Sequence, residues 1–161
     1  MRKLVGFASL LCLFSMLSLA QETPKPEVYA GYQFTSTDGG WHGNGWNTGA
    51  NLYILKWLGA TGDFSGVYGS SSSLYTYTFG PTVSTHKHNV SPFGHALFGG
   101  AHVGGPGWGD SGMAMMFGGG VDLGRQKFAL RAFQVDWMAL RFNGFTDKNN
   151  LRVNTGLMYR F

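Results

Sequence analysis

From residue 27 to the last residue, apolar and polar side chains alternate with a period of two in eight separate stretches, the signature of extended chain with one apolar face. The closing stretch is the most regular. Leu151, Val153, Thr155, Leu157, Tyr159 and Phe161 fall on one face, and Arg152, Asn154, Gly156, Met158 and Arg160 on the other. Chain termini usually fray, so a terminus written as a regular strand predicts a sheet that needs its final strand for closure. Strand 1, "EVYAGYQFTS", sets Val28, Ala30, Tyr32 and Phe34 against Tyr29, Gly31, Gln33 and Thr35. Strand 2, "GWNTGANLYIL", sets Trp46, Thr48, Ala50, Leu52 and Ile54 against Asn47, Gly49, Asn51 and Tyr53. Strand 3, "GATGDFSGVYG", sets Ala60, Phe64 and Tyr68 against Thr61, Asp63 and Ser65. In strand 4, Tyr75, Tyr77, Phe79 and Val83 oppose Thr76, Thr78, Gly80, Thr82 and Ser84. "VSPFGHALFGGAHV", "GMAMMFGGGVDLG" and "KFALRAFQVDWMALRF" are strands 5 to 7.

The connections predict the topology. "KWLG", "THKHN" and "GRQK" are short, whereas "TDGGWHGNG", "SSSS", "GGPGWGDS" and "NGFTDKN" are mostly longer, polar and glycine-rich. Short turns on one rim and longer loops on the other are the pattern of an all-β, eight-stranded antiparallel up-and-down transmembrane β-barrel, both termini on the short-turn side. Strands of roughly 9–11 tilted residues cross a hydrocarbon layer, and these have that length. Eight strands enclose a lumen that side chains fill.

Composition sharpens this picture. Glycine is 26 of 161 residues and aromatics 16%, while charged residues are only 12%, about half the share expected of a soluble domain. The N-terminus, "MRKLVGFASLLCLFSMLSLA", has Arg2 and Lys3 before an apolar run and Ser18 and Ala20 at the small-residue positions of a cleavage site. It reads as a secretory signal peptide over residues 1–20, with the barrel domain over 21–161. A membrane anchor is disfavoured because the run is short and "QETPKPE" follows at once, and a lipid anchor at Cys12 because "ASLL" lacks the required small residue. Removing residues 1–20 from the 161 leaves 141, one domain, without Cys12, the sole cysteine. Disulfides and thiolate metal sites are then excluded from the mature chain. Arg2 and Lys3 leave with no acid, so the formal charge falls from +4 to +2, no nucleic-acid footprint.

On these residues the chain resembles the OmpA-like family of eight-stranded outer-membrane β-barrels over essentially all of residues 27–161. "FGGGVDLGRQKFALRAFQVDWMALRF" and "NNLRVNTGLMYRF" carry most of the likeness. The family's terminal Phe, preceded by apolar residues at alternate positions, is read by the outer-membrane assembly machinery, and Leu157, Tyr159 and Phe161 match it. Its Gly-x-Gly followed by an inward acid is matched by Gly118, Gly120 and Asp122. The resemblance implies outer-membrane location, lipid and lipopolysaccharide as surroundings, and a monomer. The family's peptidoglycan-binding domain does not follow the barrel in this sequence, so tethering to the cell wall is not implied.

Candidate chemistry is sparse. Inward polar groups of a narrow lumen must satisfy one another, which makes Asp63, Asp122, Arg152 and Arg160 an expected interior network, with Glu27 and Arg131 as further members. An ion path is the functional alternative. Arg131 and Asp136 have opposite parity on strand 7, so a bulge lies between them or one sits at a rim. Strand 5 is apolar on both faces, and the reading adopted points His95 inward.

Two classes of outer-membrane enzyme share this barrel size, a lipid A deacylase with a Ser/His pair on its wall and a palmitoyl transferase. The deacylase's late-strand His-x-Ser is absent, since no histidine follows His102, which leaves His102, Ser111 and Asp110 as a chance-prone trio. "HKH" at 86–88 lacks a third metal ligand, and "GWGDSG" at 107–112 lacks the βαβ unit of a nucleotide cradle. Met113, Met115 and Met116 read as barrel surface and filling. Trp41 and Trp108 on glycine-rich loops are candidate contacts for a partner or lipopolysaccharide. The expectation is a structural or surface-interaction protein without catalysis, metal or cofactor. The alternatives are a loop-mediated adhesin or receptor, a lipid A-modifying enzyme, and a soluble lipocalin-like carrier with its apolar face inside.

Overall fold

The computed structural model describes residues 25–85, 89–124 and 127–161. The signal-peptide reading and the 86–88 histidine pair lie outside the described residues. Eight strands follow in order: β1 (Glu27–Ser36), β2 (His42–Tyr53), β3 (Leu58–Tyr68), β4 (Ser73–Ser84), β5 (Val90–Gly105), β6 (Trp108–Leu123), β7 (Phe128–Phe142) and β8 (Phe145–Arg160). Each pairs antiparallel with the next, and β8 returns to β1 to close the barrel. The seam runs from Glu27 opposite Arg160 to Ser36 opposite Leu151. Midway, Gly31 faces Gly156, and a Cβ on Gly31 would lie 2.1 Å from the Thr155 carbonyl oxygen, so the two backbones meet more closely than any side chain allows.

Alternation sorts the side chains as the pattern predicts. Phe79 is 73% exposed on the outer wall and Arg152 is 0% exposed in the lumen, the reverse of a soluble carrier. Burying an aromatic or aliphatic side chain of this size is worth about 1.5–3 kcal/mol, which the outer wall recovers in hydrocarbon and forfeits in water. At the rim where β1 begins and β8 ends, Phe128, Tyr159 and Phe161 stack edge to face, with centroids 5.2 and 5.1 Å apart, and the Phe161 N–H donates to the Pro26 carbonyl.

The opposite rim departs from expectation. Pro106–Gly107 and Asn143–Gly144 are the only residues between β5 and β6 and between β7 and β8, so the expected long loops there are continuations of the strands. Asn143 and Gly144 both have positive φ, 44° and 87°, as a two-residue hairpin turn demands. Strands β5 to β8 thus reach 15–16 residues against 10–12 for β1 to β4, and the wall is taller on one side. Above the hydrocarbon, neither face of a strand has to be apolar, so pairing continues where the alternation fades.

Gly31→Val should block the seam. Its expected effect is loss of the folded, heat-modifiable band on gels after refolding in detergent, while Gly62→Ala, whose Cβ would meet nothing within 4 Å, refolds like the parent.

Candidate functional site

The lumen holds a connected set of buried charges. Arg152 on β8 donates from Nη1 to Asp63 Oδ1 on β3 (2.6 Å) and from Nε to Asp136 Oδ2 on β7 (2.8 Å). Its Nη2 lies 2.7 Å from the same Asp136 oxygen, at ion-pair distance but off the hydrogen-bond line. The Tyr29 hydroxyl donates to Asp63 Oδ2 (2.7 Å), and His95 Nε2 meets Asp136 Oδ1 at 2.8 Å. Gln134 carries the network onward, donating to Asp136 Oδ2 (2.7 Å) and accepting from Arg131 Nη1 (2.7 Å). Arg131 then grips Asp122 with two bonds, 2.9 and 3.2 Å, its guanidinium held between the rings of Tyr29 and Phe93 at 4.1 and 4.3 Å. That planar stacking with a bidentate carboxylate contact is chemistry arginine offers and lysine does not.

Arg160 stands apart from this set. At the terminal rim its Nε donates to Glu27 Oε1 (2.7 Å), and Asn51 and Tyr53 donate to Glu27 Oε2. The four residues expected to form one network are therefore divided: Asp63, Arg152 and Asp122 share the inner chain, and Arg160 belongs to a separate rim cluster. Tyr29 and Gln134 join the inner chain unanticipated, although Tyr29 shares the face of Gln33 and Thr35 in the sequence pattern, and Asp136 joins it through the bulge that was one of the two alternatives for strand 7.

The opposite parity of Arg131 and Asp136 has a local cause. On β6, Asp122 faces Arg131 and the preceding Val121 faces Phe133, so Ala132 is an extra residue on β7. This bulge turns both charges inward. A second irregularity lies on β8, where Lys148 and Asn149 together oppose Ala139, with Asn149 at φ 71°.

Towards the hairpin rim the lumen becomes apolar. Leu74, Leu97, Ala101, Ala114, Met116 and Met138 pack there with Leu140, and Trp41, Val103 and Phe142 close over them. This plug explains why strand 5 is apolar on both faces, with Leu97 and Ala101 inside and Phe98 outside. Trp41 departs from the expected exposed loop position: it is half-buried, its ring lying over Gly43 and Gly69. Trp108 opens β6 rather than a loop, 54% exposed, with its indole over Gly105. Met113 and Met115 face outward, while Met116 joins the plug.

On the outer wall, His102 and Ser111 are paired across β5 and β6, and His102 Nδ1 lies 2.9 Å from Ser111 Oγ. Asp110 does not complete a triad. Its carboxylate accepts from the Ser111 backbone N–H and from Asn143 Nδ2, and no described carboxylate orients the imidazole. In a catalytic triad that third group holds the imidazole in the orientation and tautomer that activate the serine. No group of metal-ligating side chains occurs among the described residues.

No family model matches the sequence. No curated protein matches it either. Its likeness to known proteins is one of fold. Neisserial surface protein A superposes with a TM-score of 0.66 at 15% identity, covering 84% of this chain and 96% of that one. Ail, the attachment invasion locus protein of Yersinia pestis, gives 0.55 at 18% identity over 86% and 99%. The N-terminal β-barrel domain of Pseudomonas aeruginosa OprF gives 0.55 at 10% identity over 88% and 100%. All three are outer-membrane barrels, and the chain shares their eight-stranded fold.

Arg152→Met should strand two buried carboxylates and cost about 3–5 kcal/mol in urea unfolding of the reconstituted barrel. Combining it with Asp63→Asn and Asp136→Asn should recover much of that loss. Deleting Ala132 should leave every cross-strand pair of β7 in place and change stability by about 1 kcal/mol or less. Deleting Leu130 instead reverses the facing of Phe128 and Ala129, and the refolded yield should collapse.

Proposed function

We propose that the protein is an integral outer-membrane barrel, exported through its N-terminal signal peptide, with a structural or surface-interaction role and no catalysis. The observation that carries this reading is the apolar outer wall around a lumen occupied by paired charges and capped by an apolar plug. Such a lumen offers no continuous aqueous path, which favours a structural part for the interior charges over an ion path. Its surroundings are outer-leaflet lipid and lipopolysaccharide, and Leu157, Tyr159 and Phe161 serve as the signal to the assembly machinery. It acts as a monomer, since closure leaves no long unpaired strand edge in the hydrocarbon region.

A second reading, surface contact through the hairpin rim, is favoured by Trp108 and by Phe145, which is 83% exposed at the tip of the β7–β8 hairpin. Ail has been described in complex with a heparin analogue, sucrose octasulfate, and a polyanionic sugar is a reasonable first ligand to test on that rim. The lipid-modifying alternative is disfavoured because the Asp110 carboxylate serves the Ser111 backbone N–H and Asn143 rather than His102.

Fractionation should place the protein in the outer membrane, extractable only with detergent and heat-modifiable on gels. In planar bilayers the purified barrel should show no discrete conductance steps. Recovery from the soluble periplasm would overturn the membrane assignment, and stepwise currents the sealed lumen. His102→Ala should leave the acylation pattern of lipid A unchanged relative to the parent strain by mass spectrometry.

A further inference from the structure

The two rims differ in charge. Where β1 begins and β8 ends, Lys25, Lys56 and Lys127 are exposed, Arg160 is answered by Glu27, and no acidic side chain is exposed among the described residues of that rim. At the hairpin rim, Asp38, Asp110 and Asp147 offset Arg141 and Lys148. Two lysines of the terminal rim also stand in apolar surroundings. The β2–β3 turn reads Ile54, Leu55, Lys56, Trp57, and all four are exposed, Ile54 by 64% and Trp57 by 54%. The N–H groups of Ile54 and Leu55 donate to the Leu58 carbonyl, and Ser84 on β4 donates to the Trp57 carbonyl, so the turn is fixed with these side chains outward. Lys127 precedes the exposed Phe128, and its carbonyl accepts from the Arg160 N–H, which sets it beside the Phe128, Tyr159 and Phe161 rings.

Turns that face water favour Gly, Pro, Asn, Asp and Ser, and this one holds none of them. Tryptophan instead rests at the level of lipid headgroups, and lysine lays its stem along apolar surface while its ammonium stays among polar groups. Phosphate is the anion at that depth. A zwitterionic headgroup also brings a cation, for which the rim has no exposed acidic side chain among the described residues. An anionic phospholipid brings none, and each lysine adds to its attraction. Lys56 and Lys127 lie on opposite sides of the closed barrel, four strands apart in either direction, so headgroups held at both would resist tilting.

We propose that this rim binds anionic phospholipid of the periplasmic leaflet, of the phosphatidylglycerol class. The ammonium groups of Lys56 and Lys127 meet lipid phosphates, and Trp57 and Phe128 lie among the glycerol and upper acyl groups. The inference rests on the membrane reading above, with the terminal rim in the periplasmic leaflet.

The test is fluorescence quenching in phosphatidylcholine vesicles containing a minor share of phosphatidylglycerol, with bromine on the acyl chains of that share or of an equal share of the phosphatidylcholine. The Trp57 signal is the difference between the parent and Trp57→Phe, and Phe128→Trp supplies a second reporter beside Lys127. Brominated phosphatidylglycerol should be the stronger quencher at both, with a local enrichment of about five-fold, as one lysine near an anionic surface gives. Lys56→Gln should abolish the preference at Trp57 and leave it at position 128, and Lys127→Gln should do the reverse. The Trp108 signal, obtained with Trp108→Phe, should show no preference. Equal quenching by the two lipids in a parent barrel that floats with the vesicles would overturn the proposal, and so would a preference that survives both lysine substitutions. Sedimentation with purified peptidoglycan sacculi that depends on the same two lysines would assign the rim to the cell wall instead. A parent that does not float with vesicles would overturn the membrane reading itself.

Discussion

The whole structure depends on one constraint: a backbone N–H or C=O in hydrocarbon has no water to bond, so every strand must find a partner on both sides. A sheet meets this only by closing on itself. The first and last strands must therefore meet, and they do so along a seam from Glu27 opposite Arg160 to Ser36 opposite Leu151. The Glu27–Arg160 ion pair ties the seam's terminal end, and Gly31 facing Gly156 lets its middle come together. A regular final strand is thus a condition of the fold, and so is the alternation that ends on Phe161.

Closure has a consequence for the interior. With apolar side chains sent outward, polar and charged ones go into a lumen too narrow for bulk water, where each needs a named partner. Arg152 between Asp63 and Asp136, and Arg131 between two rings and against Asp122, are two solutions to that problem. The apolar plug of Leu97, Met116, Met138 and their neighbours is a third, since it removes the need for partners altogether. A lumen built from all three is well suited to holding a shape. The neighbours at 10–18% identity carry the same barrel, as expected when the fold is set by alternation and strand count rather than by particular residues.

The strands were legible because their signal is local. Tyr75, Tyr77 and Phe79 announce their facing whatever lies beside them, and Asp63 and Arg152 stand out as charges on the inward side. The hairpin rim was less legible. "GGPGWGDS" and "NGFTDKN" read as loops because polar and glycine residues occupy both faces, yet the backbone continues to pair around Pro106–Gly107 and Asn143–Gly144. Trp41 looked like a loop contact, and no local feature announces that it folds back over Gly43 and Gly69.

Sequence by itself determined that this chain makes eight alternating strands, that its apolar face is broad and its charges few, and which side chains share a face wherever a strand is unbroken and apolar on one side only. These follow from the two-residue repeat, a property of each strand alone. Tertiary structure alone decided who meets whom: that Asp136 joins Arg152, that Ala132 is the extra residue which turns Arg131 inward, that Arg160 answers Glu27 from 133 positions away. Those choices depend on the stagger between neighbouring strands and on the curvature of closure, and both are fixed only when the last strand docks on the first.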